Sequence, residues 1–330
     1  MTRNALHRFC TPFLLAVALT LCPPAGAAQG EVTVDALSVV KVKSQAVRDA
    51  RSATTLGAER EGTGVVIDSN GLVLTIAFLV TEAETIELST TDGRKFPATV
   101  VGSDPRTGMA LLKALAPLPV QPVDFGESTS VAERDLVLIV GFDGVAPAYV
   151  VSKRRFVGYW EFLLDEAIYT APATVNWQGA ALLSRDGKLL GIGYLAVGDA
   201  MGSNAAIPGN LFVPIDAFKP ALGELIANGK FTAKPRPWLG LNTQEVQGTL
   251  IVTRVSPEGP ADAAGLRQGD VIVGIAGKPV QGQADFYTKL WATGVAGVDV
   301  PLDVLKGNQV QKYTIKSRDR DTYFRARAVY

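Results

Sequence analysis

The chain has 330 residues, of which 47% are hydrophobic and 19% charged, with 33 glycines and 19 prolines. This composition is typical of a turn-rich globular protein of about two domains and excludes an intrinsically disordered chain. The formal net charge is zero and no long basic run occurs, so neither a nucleic acid nor an anionic membrane surface is indicated as a partner.

The first 28 residues predict a secretory signal peptide. Basic residues precede a short apolar stretch at 13–21, and small residues follow up to Ala28. The stretch is too short to predict a transmembrane helix, and no later segment is long enough. Cys22 raises the alternative of a lipid anchor, but Leu21 stands before it, where that processing signal prefers a small residue. We therefore expect an exported protein without a lipid anchor, with a Gram-negative periplasm as its location.

Histidine and cysteine occur only in this leader. His7 is the sole histidine, and Cys10 and Cys22 are the only cysteines. The predicted mature chain therefore has no imidazole and no thiol. We expect no disulfide, no cofactor, no metal site built on His or Cys, and no Ser–His or Cys–His catalytic pair. A lack of disulfides is ordinary for a periplasmic protein with a sizeable core.

From Val39 to about Pro220 the sequence predicts short strands separated by turns. Segment 64–75 predicts a hairpin, because two apolar strands flank Asn70-Gly71. Many short strands at this spacing indicate a β-barrel or a sandwich. The other predicted elements are strands at 85–88, 98–101, 136–141 and 189–193, a helix at 215–228, and a linker at 229–237 that is rich in Lys, Arg and Pro.

Segment 238–318 predicts a second, compact α+β module, followed by a tail at 319–330. A short helix begins near Pro260 and ends at Gly265, which suits a helix C-terminus because glycine tolerates a left-handed backbone. The remaining predicted elements are a strand from Asp270, a turn at Gly277-Lys278, an amphipathic helix at 284–291, and strands at 298–305 and 309–316.

Seven motifs after the leader occur in an order and spacing that identify a family. They are Gly62-Thr63-Gly64-Val65-Val66-Ile67, Leu74-Thr75, Asp92-Gly93-Arg94, the run 102–107, the run 186–192, Ala206-Ile207-Pro208, and the run 255–272. Together they resemble the HtrA/Deg family of periplasmic serine proteases. The resemblance implies a mostly β protein: a trypsin-like double β-barrel at 29–228, followed by an α+β PDZ domain at 238–318.

The same resemblance puts unusual residues at the family's three catalytic positions. Phe78 stands where the family has its histidine, Gly108 where it has its aspartate, and Gln178 where it has its nucleophilic serine. A phenyl ring transfers no proton, glycine orients no base, and an amide forms no acyl intermediate. Trp177 and Gln178 also replace small polar residues at the expected oxyanion hole. We expect Phe78, Trp177 and Gln178 to fill part of the former cleft.

Segment 238–241 resembles the carboxylate-binding loop of the family's PDZ domain. In that loop consecutive backbone N–H groups bind a peptide C-terminus, and the peptide adds as a strand to the sheet edge. Gly240 suits this role because no Cβ obstructs the converging amides. The alternative is that the loop only begins a strand and that the groove is occluded. We predict Leu239, Gly240 and Leu241 as carboxylate-binding residues, and Phe286 and Leu290 as the lining of the pocket for the terminal side chain.

Three functions stay open at this point. The first is a non-catalytic pseudoprotease that binds peptides or protein C-termini as a periplasmic adaptor, scaffold or quality-control factor. The second is a serine-type endopeptidase with an unconventional base, for which the candidates are Ser184 near Lys188, or Glu161, Asp165 and Glu166. On the alternative interpretation the first two form a hairpin turn and the carboxylates are solvated. The third is a purely structural assembly protein, and self-association is an option because proteins of this family are often trimers.

Three further features of the sequence each have two interpretations. The aromatic run contributes either a ligand groove or the packing of a barrel edge. Trp177 either plugs the cleft or is presented to a partner. Arg236 either attracts a carboxylate or is a solvated linker residue. The members of the aromatic run are Phe156, Tyr159, Trp160 and Phe162.

Overall fold

The computed structural model describes residues 37–158, 162–203, 206–228 and 234–324. The predicted leader at 1–28 and Cys22 lie outside these residues, as do most of the predicted linker and the end of the predicted tail. Within the described ranges, none of the helices has the length and hydrophobicity needed to cross a bilayer.

Six short strands close into a first barrel, in the order β1-β2-β3-β6-β5-β4. The predicted hairpin is confirmed: Gly71 has a φ of +85°, and the Asp68 carboxylate accepts a hydrogen bond of 2.7 Å from the Leu72 amide. The elements are β1 (Val39–Ala46), β2 (Glu59–Val66), β3 (Leu72–Ile76), β4 (Ala83–Ser89), β5 (Lys95–Asp104) and β6 (Met109–Ala114), with short helices α1 (Ala53–Leu56) and α2 (Ala77–Val80) between strands.

A second barrel closes in the order β10-β11-β12-β9-β8-β7, and a helix follows it. The strands predicted at 136–141 and 189–193 are confirmed, and the helix has the predicted bounds. The elements are β7 (Leu136–Gly141), β8 (Gly144–Gly158), β9 (Phe162–Ala171), β10 (Ala181–Leu183), β11 (Leu189–Val197), β12 (Gly209–Pro214) and α3 (Ile215–Asn228). The double barrel implied by the resemblance is therefore present.

The third unit is an antiparallel sheet in the order β13-β14-β15-β17-β18, in which β13 is an edge strand. Gly265 follows the short helix with a φ of +88°, as predicted. The elements are β13 (Leu241–Val246), β14 (Thr249–Val255), α4 (Pro260–Ala263), β15 (Val271–Ile275), β16 (Lys278–Pro279), α5 (Gln283–Ala292), β17 (Asp299–Lys306) and β18 (Gln309–Lys316).

Residues 319–324 differ from the predicted tail because they pack on this third unit. Trp238 and Arg318 exchange two backbone hydrogen bonds of 3.0 Å. A 3-10 turn follows at Arg320–Thr322, and the Tyr323 ring lies 4.7 Å from the Trp238 ring, centroid to centroid. Aromatic packing thus holds this segment against the start of the sheet.

One hydrophobic core cluster runs through both barrels and α3, so the barrels are not separate bodies. A smaller cluster fills the second barrel, and a third fills the C-terminal unit. Burying a Val, Leu or Phe side chain stabilises a fold by about 1.5–3 kcal/mol. This shared core sets the positions of the loops between the barrels. Its members include Val42, Leu111, Ile192, Val213 and Phe218.

The start of α3 is attached to the second barrel through Asp216. Its carboxylate accepts hydrogen bonds from the Thr129 amide at 3.0 Å and from Lys219 Nζ at 2.5 Å, and its own amide donates to Ser128 Oγ. Partial burial raises the pKa of Asp216, but the hydrogen bonds with Lys219, Thr129 and Ser128 outweigh burial and bring the pKa to about 2.

We predict that Asp216→Asn destabilises the chain more strongly at neutral pH than at acidic pH. The folded-state pKa lies below the unfolded value of about 3.9, so the stabilisation is fully present above that value and is lost as the pH falls through the folded-state pKa of about 2. Urea unfolding at pH 7 should show a loss of about 1–2 kcal/mol, and at pH 2.5 about a third of that loss, because Asp216 is still partly ionised there. Asp165→Asn, at an exposed carboxylate, is the control. An equal loss for Asp216→Asn at both pH values would contradict the prediction.

Candidate functional site

A cavity of about 540 Å³ lies where the first barrel faces the second. Its volume is in the range of small-molecule and peptide side-chain pockets. Phe78 and Gln178, two of the three residues predicted at catalytic positions, both line it. The full lining is Thr55, Leu56, Glu59, Arg60, Glu61, Phe78, Leu79, Trp177, Gln178, Tyr194 and Leu195.

Aromatic rings form one side of this cavity. Phe78, in α2, meets Trp177 edge-on at 6.4 Å and Tyr194 at 6.1 Å between centroids. Phe156 meets Tyr194 at 6.3 Å and extends the contact to β8. Each such pair adds about 0.5–1.5 kcal/mol beyond area burial. Phe78 therefore acts as a packing residue, and burial raises the pKa of Tyr194, which keeps its phenol protonated.

Of the predicted aromatic run, only Phe156 can be placed with its side chain. It is half-buried, packs on Tyr194 and the shared core, and is not among the residues that line the cavity, an arrangement that fits the barrel-edge interpretation. Tyr159 and Trp160 lie outside the described residues, and so does the side chain of Phe162.

Gly108, the third predicted position, is next to Phe78 in space. Its carbonyl accepts a hydrogen bond of 2.7 Å from the amide of Ala77, the residue before Phe78. With a φ of +71°, this position favours glycine. The nearby Asp104 carboxylate is buried and accepts from Arg106 and Thr107. The structure thus brings Phe78, Gly108 and Gln178 together, and Gly108 contributes no side chain to this site.

The loop at 176–179 is held by backbone hydrogen bonds. The Gln178 carbonyl accepts from the Thr63 amide of the first barrel at 2.8 Å, and the Gly179 amide donates to the Gly193 carbonyl at 2.9 Å. The Asn176 amide donates to Thr174 Oγ1 at 3.3 Å. At least two amides of this loop therefore donate inside the protein and are not available to stabilise an oxyanion.

A buried arginine network supports this side of the cavity. The Arg60 guanidinium is buried and donates to the carbonyls of Phe78 at 3.0 Å and Thr81 at 2.5 Å. It also donates to Ser52 Oγ at 2.8 Å, and Ser52 Oγ in turn donates to the Glu82 carboxylate at 2.5 Å. Burial lowers the pKa of Arg60, and the charge of Glu82 opposes that shift.

Sequence reasoning missed this network and Tyr194. Arg60 stands between Glu59 and Glu61 in a polar run, which suggests an exposed strand. Its partner Glu82 is 22 positions away, with no pattern that links the two. Only the curvature of the barrel brings Arg60, Ser52 and Glu82 together.

The candidate Ser–Lys pair has the geometry of a hairpin turn. Ser184 Oγ donates to Asp186 at 2.5 Å and accepts from the Lys188 amide at 3.0 Å, while Lys188 Nζ is 3.5 Å from the Asp186 carboxylate. The Ser184 hydroxyl thus contacts no ammonium group, and the hydrogen bond from Ser184 lowers the pKa of Asp186.

The candidate carboxylates also form surface contacts. Asp165 is 3.3 Å from Arg155, and Glu166 is 3.7 Å from Lys153, both with well-exposed carboxylates. Glu161 lies outside the described residues. No group of His, Cys, Asp and Glu side chains that could hold a metal ion occurs in the described part of the chain.

The predicted peptide-binding loop has the required glycine geometry. Gly240 has a φ of +78°. The amides of Leu239 and Gly240 donate no hydrogen bond to any described residue, whereas their carbonyls accept from Ala261 and Ser256. Two adjacent free N–H groups beside the edge strand β13 are what a carboxylate-binding loop needs.

The pocket predicted beside this loop is not open in the structure. Leu239, Leu241, Phe286 and Leu290 are each at most 1% exposed and belong to one core cluster, so they pack the core and do not line an accessible pocket. Hydrogen bonds hold α5 against β13, and this arrangement corresponds to the alternative of an occluded groove given in the sequence analysis.

Gln283, at the start of α5, forms hydrogen bonds that link α5 to β13. Gln283 Nε2 donates to the Thr243 carbonyl at 2.8 Å, and the Gln283 amide donates to the Glu245 carboxylate at 3.2 Å. Arg236, the other residue predicted near this site, lies over the Trp291 ring at 4.0 Å in a cation–π contact and is exposed.

Comparisons with known proteins agree with the two architectures. Residues 62–192 match the family model described as a trypsin-like peptidase domain, and residues 237–316 match the model described as a PDZ domain. Two curated relatives carry the name "probable periplasmic serine endoprotease DegP-like". The one from Marinomonas sp. (strain MWYL1) is 32% identical over 66% of this chain and 49% of its own length. The one from Pseudomonas putida (strain W619) is 31% identical over 78% of this chain and 56% of its own length.

The chain thus spans about half the length of these curated relatives. Among solved structures, the HtrA-type protease AlgW with decapeptide superimposes with a TM-score of 0.51 at 22% identity, over 89% of this chain and 97% of that one. The serine endoprotease from Yersinia pestis gives a TM-score of 0.50 at 23% identity, over 86% and 94%. These two likenesses support the fold.

We predict that Glu82→Gln lowers the free energy of unfolding by about 1–3 kcal/mol, because it removes the charge opposite a buried guanidinium and weakens its hydrogen bonds. Chemical unfolding followed by tryptophan fluorescence measures the loss. Glu84→Gln, an exposed neighbour, is the matched control and should change stability by less than about 0.5 kcal/mol. Equal stability of the two variants would argue against the network as a support of the cavity.

Proposed function

The chain belongs to the HtrA/DegP-like family, and from this premise we propose that it is a non-catalytic member that binds peptides or protein C-termini through its PDZ domain. The observation that carries the proposal is the chemistry around the 540 Å³ cavity. Phe78 and Gln178 line it, Gly108 lies beside Phe78, and none of the three can act as a base, an acid or a nucleophile.

The packing of the cleft supports the same conclusion. Phe78 is engaged in edge-on contacts with Trp177 and Tyr194 at the side of the cavity. Asn176 and Gly179 direct their amides to Thr174 and Gly193, so these two amides do not point into the cleft. A chain with this arrangement retains a binding surface but lacks proton transfer.

Peptide binding is proposed for the loop at Gly240 and the edge of β13. The free amides of Leu239 and Gly240 would bind a terminal carboxylate, and the peptide would extend the sheet as an added strand. Because Gln283 bonds to the Thr243 carbonyl on that edge, peptide entry requires α5 to release β13. The pocket around Phe286 and Leu290 would open in the same step.

The pattern of the leader and the names of the relatives support a periplasmic location. Two curated relatives are named periplasmic endoproteases, and the first 28 residues of this chain have the pattern of a secretory signal. We therefore propose a periplasmic adaptor, scaffold or quality-control factor. A mass measurement by light scattering, with and without peptide, tests whether self-association accompanies this role.

We predict that the purified chain cleaves neither casein nor fluorogenic peptides and takes up no fluorophosphonate label. Gln178→Ser should remain inactive, because Phe78 and Gly108 still supply neither the base nor the carboxylate of a triad. Ser184→Ala tests the alternative of an unconventional endopeptidase. Turnover that survives stringent purification and disappears in Ser184→Ala would overturn the proposal of a non-catalytic protein.

We predict that Gly240→Ala weakens the binding of a peptide with an apolar C-terminal residue at least tenfold. A Cβ at position 240 would lie 3.1 Å from the Trp238 ring and 3.2 Å from Ser256 Cβ, in the loop that binds the carboxylate. Fluorescence anisotropy of a labelled peptide gives the Kd, and the C-terminally amidated peptide should bind as weakly as the variant does.

Gly248→Ala is the matched control for this prediction. Its φ of +76° carries the same backbone strain as the φ of +78° at Gly240, but a Cβ there meets nothing within 4 Å. Equal peptide affinity of the two variants, or of the free and amidated peptides, would contradict carboxylate recognition at Gly240.

A further inference from the structure

A second cavity, of about 280 Å³, lies between the first barrel and the PDZ domain. We call it the interdomain cavity. Its volume suits a small ligand and not a peptide segment of several residues. Residues from α1, from β13 and β14, and from the segment after β18 contribute to it. The lining is Arg51, Ser52, Thr55, Leu56, Trp238, Asn242, Arg254, Ser256, Arg320, Tyr323 and Phe324.

The interdomain cavity is distinct from the peptide groove. Side chains alternate between the two faces of a strand. Leu241 and Thr243 of β13 are fully buried in the face that carries α5, so Asn242 between them points to the opposite face. Arg254 is the cross-strand partner of Asn242 on β14. The cavity therefore lies on the back of the sheet, away from the groove.

Positive charge dominates the lining. Three of its residues are arginines and none is an aspartate or a glutamate. The Arg51 guanidinium lies over the Tyr323 ring at 4.5 Å and forms an ion pair with Glu258 outside the cavity. Burial raises the pKa of Tyr323, and the charges of Arg51 and Arg254 oppose this shift, which indicates that both guanidinium groups lie near the phenol.

Part of this charge is already compensated. Glu258 pairs with Arg51, and Asp321, whose pKa burial raises, interacts electrostatically with Arg320. Arg254 is different: across the described ranges its guanidinium forms neither a hydrogen bond nor an ion pair. An arginine beside a cavity without an acceptor is a favourable partner for an oxyanion, because its planar group binds carboxylate or phosphate oxygens in a bidentate manner.

Neutral donors accompany Arg254. The side-chain amide of Asn242 and the hydroxyl of Ser256 also form no hydrogen bond with any residue that the structure describes. The hydroxyl of Tyr323, by contrast, is used, because it donates to the Pro257 carbonyl at 2.9 Å. Three unused polar groups thus line one small, arginine-rich cavity.

We propose that the interdomain cavity binds a small oxyanion, a phosphate or carboxylate group held by Arg254 with Asn242 and Ser256 as neutral donors. Because Arg51 of the barrel domain lines the same cavity as Arg254 of the PDZ domain, a bound anion would lie at the boundary between the two domains.

The test is isothermal titration calorimetry of the full chain with three probes: inorganic phosphate, a phosphorylated monosaccharide and citrate. Sodium chloride at matched ionic strength is the blank. Saturable binding of one equivalent of at least one probe is expected, and Arg254→Gln should weaken its Kd at least tenfold. The order of the three affinities distinguishes a phosphate ligand from a carboxylate ligand.

Arg267→Gln is the matched control, because Arg267 is an exposed PDZ arginine that pairs with Asp262 outside the cavity. Its anion affinity should equal that of the unchanged chain. Ser256→Ala gives a second measurement if Arg254→Gln unfolds, with a threefold or greater weakening expected. Heats no larger than those of chloride, or equal affinity in Arg254→Gln or folded Ser256→Ala, would overturn the proposal.

Discussion

The buried guanidinium of Arg60 is the constraint on which this side of the molecule depends. A buried charge is tolerated only when its donors are used and a counter-charge is near, and Arg60 meets both conditions through Ser52 and Glu82. Since the same group donates to the Phe78 carbonyl, it fixes α2, and with it the ring that faces the main cavity. Ser52, directly before α1, is fixed by the same bonds.

Helix α1 connects this network to two cavities. Thr55 and Leu56 line both the 540 Å³ cavity and the interdomain cavity, so α1 forms part of the wall between them. A ligand in either cavity contacts an element that the Arg60 network holds in place. The PDZ groove lies on the other face of its sheet, where Gln283 keeps α5 against β13. These three surfaces differ in chemistry: the 540 Å³ cavity is aromatic, the interdomain cavity is basic, and the PDZ groove is apolar.

The proposed loss of catalysis and the retained fold have the same physical basis. A double barrel is stabilised by its shared apolar core, and Phe78 packs against that core, so the proposed loss of the catalytic residues is compatible with the fold. Phe78 adds aromatic contacts with Trp177 and Tyr194 where a histidine would have needed polar partners.

The sequence alone determined the features that depend on residue identity and on short-range contacts. Asn70-Gly71 forms its hairpin because the turn needs a left-handed glycine, and α3 has the predicted bounds. The identities of the residues at positions 78, 108 and 178 are also a matter of sequence alone, and the proposal of a non-catalytic chain rests on them. Only the tertiary structure decided which distant groups meet. The Arg60 guanidinium is linked to Glu82 through Ser52 because the barrel closes, and Arg254 of the PDZ domain borders the same cavity as Thr55 and Leu56 of α1. Leu239 and Phe286 became core residues for the same reason, since burial depends on long-range contacts that no local pattern encodes.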